Sequence, residues 1–220
     1  MTIAQNLKKI KSSLPTGVKL VAVSKFKTNE DILEAYQAGQ TVFGENRVQE
    51  LTDKYEQLPK DIEWHMIGHL QTNKVKYIVP FVHLIHGVDS FKLLKEIDKQ
   101  TQKVGRVQNC LLQIHIAQEE TKFGFDREEV LQMLNGDEFA TLQNIQLCGL
   151  MGMATLTDSE AQVHKEFRGL KQLFDELKQS YFAQNDSFKE ISMGMSGDYT
   201  IAVEEGSTMV RVGSSIFGSR

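Results

Sequence analysis

The chain has 220 residues, 40% of them hydrophobic and 25% charged, with 25 Lys and Arg against 29 Asp and Glu for a net charge of -4. That is the composition of a globular domain with enough chain for a sizeable core, and the dispersed lysines exclude the basic footprint of a nucleic-acid-binding protein. Two cysteines in apolar surroundings, Cys110 and Cys148, exclude a disulfide framework, and no apolar run approaches the ~18 to 20 residues of a membrane helix. The reading is a cytosolic protein with reduced thiols and neither a membrane nor a nucleic-acid partner.

The opening segment MTIAQNLKKIKSSLPTG spaces its apolar residues as a helix over about 2–13, and its lysines interrupt any export-signal core. Short apolar runs of β type follow at 18–26, 41–44, 63–68, 83–88, 107–116, 145–153, 189–194 and 209–213. Amphipathic stretches lie between them: NEDILEAYQAG, ENRVQELTDKYEQL, SFKLLKEIDKQTQKVG and SEAQVHKEFRGLKQLFDELKQ. No linker interrupts the alternation, so residues 1–220 are expected to form one domain. Strand then helix, repeated, fits a parallel (β/α)8 TIM barrel or an open doubly wound sheet. The open sheet lacks its G-x-G-x-x-G turn, and polar and glycine residues recur at the strand ends, where a barrel builds its site.

Lys25 closes the first strand, where an amine of lowered pKa condenses with an aldehyde; a solvated strand-end lysine is the alternative, and Lys27 is a rival. MGMSGD and VRVGSS, after the seventh and eighth strands, place Ser196, Gly197, Gly213 and Ser214 where barrels bind phosphate. The same residues also suit helix caps and tight turns. Arg211 faces either the site or a salt bridge to Glu204 or Glu205, and Asn46 in GENRVQE is either a partner of the lysine or a helix N-cap. His65 and His69 span a strand end rather than one helical face, which disfavours a metal, and His83 and His86 read as structural; no metal is expected.

VAVSK, GENRVQE, WHMIGHLQTNK, GLMGMATL, ISMGMSGD and GSTMVRVGSSIFG together resemble the YggS/PROSC family of pyridoxal-phosphate-binding homeostasis proteins, from about residue 18 to the C-terminus. The resemblance implies the barrel half of the alanine racemase fold (pyridoxal-phosphate fold type III). It implies pyridoxal 5'-phosphate as a Schiff base on Lys25, a phosphate cradle of Ser196, Gly197, Gly213 and Ser214, Arg211 at the ring nitrogen, Asn46 beside the lysine, and 65–67 as a wall of the ring site. An arginine there cannot accept a proton, so it holds the ring nitrogen unprotonated and weakens the ring as an electron sink.

Two departures stand out: Thr28 where the family has proline, which is expected to loosen the lysine loop, and His115 where it has asparagine. The implied role is intracellular vitamin B6 and amino-acid homeostasis without a defined turnover, by a monomer that serves pyridoxal-phosphate-requiring apo-enzymes. The sequence stops at IFGSR with no room for the β-domain that supplies a racemase with its second acid/base. The alternatives are a racemase or lyase using the same cofactor, and a sugar-phosphate enzyme in which Lys25 works without one. Lys74, Lys122 and Lys189 are candidate secondary sites.

Overall fold

The computed structural model describes residues 2–119 and 123–218. Eight parallel strands close into a barrel in chain order. They are β1 (Lys19–Val23), β2 (Val42–Glu45), β3 (Glu63–Met66), β4 (Leu84–Val88), β5 (Gln108–Ile114), β6 (Ile145–Gly152), β7 (Glu190–Ser192) and β8 (Met209–Val212). The barrel closes where β1 pairs with β8, Lys19 opposite Met209 through Ala22 opposite Val212.

Helix α1 (Ile3–Ser13) precedes the barrel, and α2 (Asn29–Gln37), α3 (Val48–Gln57), α4 (Val75–Ile78), α5 (Phe91–Lys103), α6 (Arg127–Asn135), α7 (Glu160–Ser180) and α8 (Tyr199–Glu204) follow successive strands. A last turn of helix, α9 (Ser214–Phe217), follows β8 and is tied to α1 by a 2.9 Å bond from Asn6 Nδ2 to the Ile216 carbonyl.

Local sequence sets the helix starts. Thr2, Thr28 and Asp126 each form a capping box with the residue three positions on, Gln5, Asp31 and Glu129, so two orphan N–H groups are satisfied at each start. Thr28 therefore offers something in place of the proline. It holds φ at -73°, an angle proline also adopts, and its N–H, which proline lacks, donates to Asp31 at 3.3 Å. The loop loses a ring and gains a cap.

The strands alternate between two environments, as a period of two requires. Leu20, Ala22, Trp64, Met66, Ile85, Ile191, Val210 and Val212 join the large core between strands and helices, whereas Val21, Leu84, Leu111, Met151 and Met209 pack together inside the barrel. The interior is not wholly apolar. His65, His86, Ser192 and Arg211 sit on the inward positions of β3, β4, β7 and β8, and all four are buried.

Candidate functional site

Because β7, β8, β1 and β2 are neighbours around the barrel, the loops that follow them form one arc of its C-terminal mouth. Lys25, Asn46, Ser196, Gly197, Gly213 and Ser214 all lie on that arc. Two hydrogen bonds join the loops after β7 and β8: Gly213 N–H donates to Ser196 Oγ at 3.2 Å, and Arg211 N–H donates to the Gly194 carbonyl at 2.9 Å. Gly194 has φ +95°, and a Cβ there would lie 2.6 Å from that of Ala202, so the turn entering α8 requires glycine.

Neither serine of these loops is a helix cap. The residues preceding α8 and α9 are Asp198 and Gly213. The backbone N–H groups of Ser196, Gly197, Ser214 and Ser215 meet no acceptor among the described residues. Unspent backbone donors of this kind on adjoining loops are the groups with which proteins bind anions.

Lys25 is not quite where a strand end would put it. β1 stops at Val23, and Lys25 with Phe26 forms a turn closed by a 3.0 Å bond from Lys27 N–H to the Ser24 carbonyl. Lys25 is half-buried and has no hydrogen bond or ion pair among the described residues. Its rival Lys27 is spent on the Phe217 and Gly218 carbonyls, each at 3.2 Å. Asn46 is likewise no helix cap, since Arg47 holds that position in α3 without a side-chain bond. Its Oδ1 is buried with no partner among the described residues, and Gly68 packs so close that a Cβ would lie 2.4 Å from the Asn46 carbonyl.

Arg211 resolves in favour of the interior. Glu205 is taken by Arg168 and His164, and no carboxylate among the described residues lies within ion-pair distance of Arg211. Its guanidinium donates to Ser192 Oγ at 2.6 Å and to the Gly152 carbonyl at 3.0 Å, and burial pushes it down to about 10. It therefore stays charged at neutral pH, in ion-pair contact with no carboxylate among the described residues, helped only by the longer-range attraction of Asp198, and with donors to spare. Behind it the buried chain continues from Ser192 Oγ to His86 Nδ1 (2.9 Å) and from His86 Nε2 to His65 Nδ1 (2.9 Å). Burial holds both imidazoles well below their usual range, hence neutral.

His65 thus belongs to the interior chain, 0% exposed. His69 is apart from it, bonded to Asp89 at 2.7 Å and stacked on Phe123. At the opposite, N-terminal end of the strands, Glu63, His65 and His83 bring ligand atoms within 4.8 Å of one another. The rings of His65 and His83 are parallel to within 8°, which does not aim two lone pairs at one point, and Lys19 adds positive charge beside His65. Lys74 lies in a cleft of about 930 Å³ beside Asn46, Lys189 lines one of about 390 Å³ at the N-terminal end, and Lys122 falls outside the described residues. His115 turns inward on its own loop, its Nε2 2.9 Å from the Glu119 carbonyl.

The sequence places Ser24 and Glu45 at strand ends without giving them a role, and it misses Glu50 and Lys54 beside Lys25 and Ser192 beneath Arg211. The signal was there for Ser24 and Glu45, which sit one position before Lys25 and Asn46 at strand ends.

The profile of the alanine racemase N-terminal domain matches residues 1–220. A pyridoxal phosphate homeostasis protein of Aquifex aeolicus is 42% identical over 92% of this chain and 87% of its own. PipY of Synechococcus elongatus, solved with pyridoxal phosphate bound, superposes with a TM-score of 0.88 at 38% identity over 99% of this chain and 100% of its own. An alanine racemase of Clostridium difficile, 15% identical over 100% of this chain and 60% of its own, shares the fold with a TM-score of 0.80. By profile, by identity along nearly its whole length and by its closed barrel, the chain belongs to the pyridoxal phosphate homeostasis proteins (the YggS/PROSC family), within the alanine racemase N-terminal domain family.

Proposed function

We propose that this chain holds pyridoxal 5'-phosphate at the barrel mouth as a Schiff base on Lys25 and serves vitamin B6 and amino-acid homeostasis as a cofactor-handling protein. The observation that carries the reading is Arg211: a buried, charged guanidinium with no ion-pair partner among the described residues, on the strand that leads into one of the two joined loops that carry unspent N–H donors. A buried cation without an ion-pair partner is costly unless a ligand supplies a further acceptor. The residues present fit such a ligand.

When bound, the cofactor supplies an aldehyde that condenses with the Lys25 amine. Ser196, Gly197 and Ser214 would hold the phosphate through their free backbone N–H groups and hydroxyls, with Gly213 joining the two loops through its bond to Ser196 Oγ, and Arg211 would donate toward the ring nitrogen without ever accepting a proton from it. Asn46 offers its orphaned Oδ1 to a donor on the lysine or the ligand. Pyridoxal-phosphate-requiring apo-enzymes are the recipients in this reading. The curated relatives carry names of homeostasis rather than of a reaction, which supports handling over turnover.

No helix among the described residues is long and apolar enough to cross a membrane. Burial raises the thiols of Cys110 and Cys148, the latter to about 11, which leaves both poorly reactive, and we take the setting to be the cytoplasm. We take the working unit to be a monomer.

The test is to load the purified protein with pyridoxal phosphate, follow its visible absorbance, and then add single L-amino acids. A coloured protein that leaves the amino acids unchanged supports the proposal. A protein that never takes up colour returns the site to a sugar-phosphate chemistry, and turnover of ~1 s⁻¹ or more makes it an enzyme.

A further inference from the structure

Lys25 has no hydrogen-bond or ion-pair partner among the described residues, yet the residues on both sides of it are held by one buried cluster. Ser24 Oγ donates to Glu45 Oε1 at 2.6 Å, and Phe26 N–H donates to Glu50 Oε1 at 2.6 Å. Between the two carboxylates stands the ammonium of Lys54, which donates to the Ser24 carbonyl at 2.8 Å, to Glu45 Oε1 at 2.8 Å and to Glu50 Oε1 at 2.7 Å. An ammonium has three hydrogens, and all three are spent. The cluster is shielded from water: the side chains of Lys54, Glu45 and Glu50 are 7%, 0% and 20% exposed.

The turn needs such a hold. Phe26 has φ +63°, which makes it the one non-glycine residue in the left-handed region among those described. A bulky side chain adopts that conformation only where its surroundings over-determine it. Here the backbone bond to Glu50 and the Arg47 guanidinium, 5.1 Å from the centre of the Phe26 ring, do so from two sides.

We propose that Lys54 is the positioning residue of this site, with Glu50 and Glu45 as its arms. The clamp presents the Lys25 amine toward the mouth by fixing the carbonyl before it and the N–H after it. Lys54 touches no ligand and, with its hydrogens spent, does not compete for the aldehyde. The inference rests on the reading of Lys25 as the Schiff-base lysine, but the clamp itself is a property of the cofactor-free protein.

The experiment compares wild type, Lys54→Met, Glu50→Ala and, as a surface control, Lys95→Met. Cofactor-free proteins are first checked for folding by circular dichroism, and then two quantities are read. One is hydrogen exchange at the Phe26 amide; the other is the rate at which added pyridoxal phosphate becomes fixed to Lys25 by borohydride.

In Lys54→Met and Glu50→Ala, exchange at Phe26 is expected to quicken about tenfold or more, and fixation at Lys25 to slow about tenfold or more, as a displaced reacting group requires. Lys95→Met is expected to match wild type. If Lys54→Met does not fold, Glu50→Ala decides, since it removes the Phe26 acceptor and one of the three Lys54 bonds but leaves Lys54 bonded to Ser24 and Glu45. A folded variant with wild-type exchange and wild-type fixation overturns the proposal. A wild type that fixes nothing on Lys25 overturns the assignment of the lysine instead, and the Phe26 comparison still judges the clamp.

Discussion

Replacing Arg211 by methionine separates the cost of the site from its use. A base held below its free value is destabilised in its charged form, so at any pH below about 10 the protonated guanidinium costs the folded protein stability. At ~1.4 kcal/mol for each tenfold, that cost is about 3 kcal/mol. Methionine removes the cost and buries an apolar side chain worth ~1.5 to 3 kcal/mol, but gives up charge-assisted bonds to Ser192 and Gly152 worth ~1.5 to 3 kcal/mol each.

The sums nearly cancel, and cofactor-free Arg211→Met is expected to lie within about 2 kcal/mol of wild type in urea unfolding. Pyridoxal phosphate affinity behaves differently: losing one charge-assisted bond to the ring weakens Kd by roughly 10- to 150-fold. The assays are urea titration of the cofactor-free protein and absorbance titration with the cofactor. A well-folded variant that binds as tightly as wild type refutes the placement of Arg211 against the ligand. A variant destabilised by ~4 kcal/mol or more with unchanged affinity makes the residue a structural one.

Ser196→Ala removes the acceptor of the Gly213 N–H and is expected to cost about 1 kcal/mol of stability and to weaken competition by inorganic phosphate, both read by titration. Gly68→Ala drives a methyl into the Asn46 carbonyl and is expected to cost ~1 to 3 kcal/mol in urea unfolding; a neutral result contradicts the close approach of the two loops. Thr28→Ala removes a capping box and is expected to cost about 1 kcal/mol by the same measurement.

Stability is also expected to fall on acidification through the unfolded histidine value of ~6.5, because His65 and His86 stay neutral in the fold and take up protons only on unfolding. The slope approaches ~2.7 kcal/mol per pH unit for the pair. Buried Glu45 works in the opposite sense, its carboxyl raised by desolvation, so the comparison that counts is His86→Gln, in which the imidazole part of the slope is halved. An unchanged slope contradicts the buried pair.

The barrel was legible because its strands carry a clear apolar rhythm and helices α1, α2, α3, α5 and α7 are visibly amphipathic. α4, α8 and α9 were not, being one or two turns long with too few residues to show a period, and α6 escaped although Asp126 and Glu129 spell its capping box. The site divides in the same way. Lys25, Arg211 and the two glycine-serine loops were found as short motifs at strand ends. Lys54 was not, because it sits on a polar helix whose sequence gives no hint that one lysine turns inward. Ser192 was missed because a serine on an inward strand position is unremarkable until Arg211 is seen on the next strand. Capping, ion pairing and N-cap readings of Asn46, Arg211 and the loop serines could be settled only by the partners each group has in space.

The most direct test of the central claim is to treat the pyridoxal-phosphate-loaded wild type with borohydride, digest it, and identify the modified lysine by mass spectrometry. The account predicts a single modified peptide carrying Lys25, absent from Lys25→Ala, while Lys27 and Lys54 stay unmodified. Label on Lys27 or Lys54, or equal label in Lys25→Ala, contradicts it.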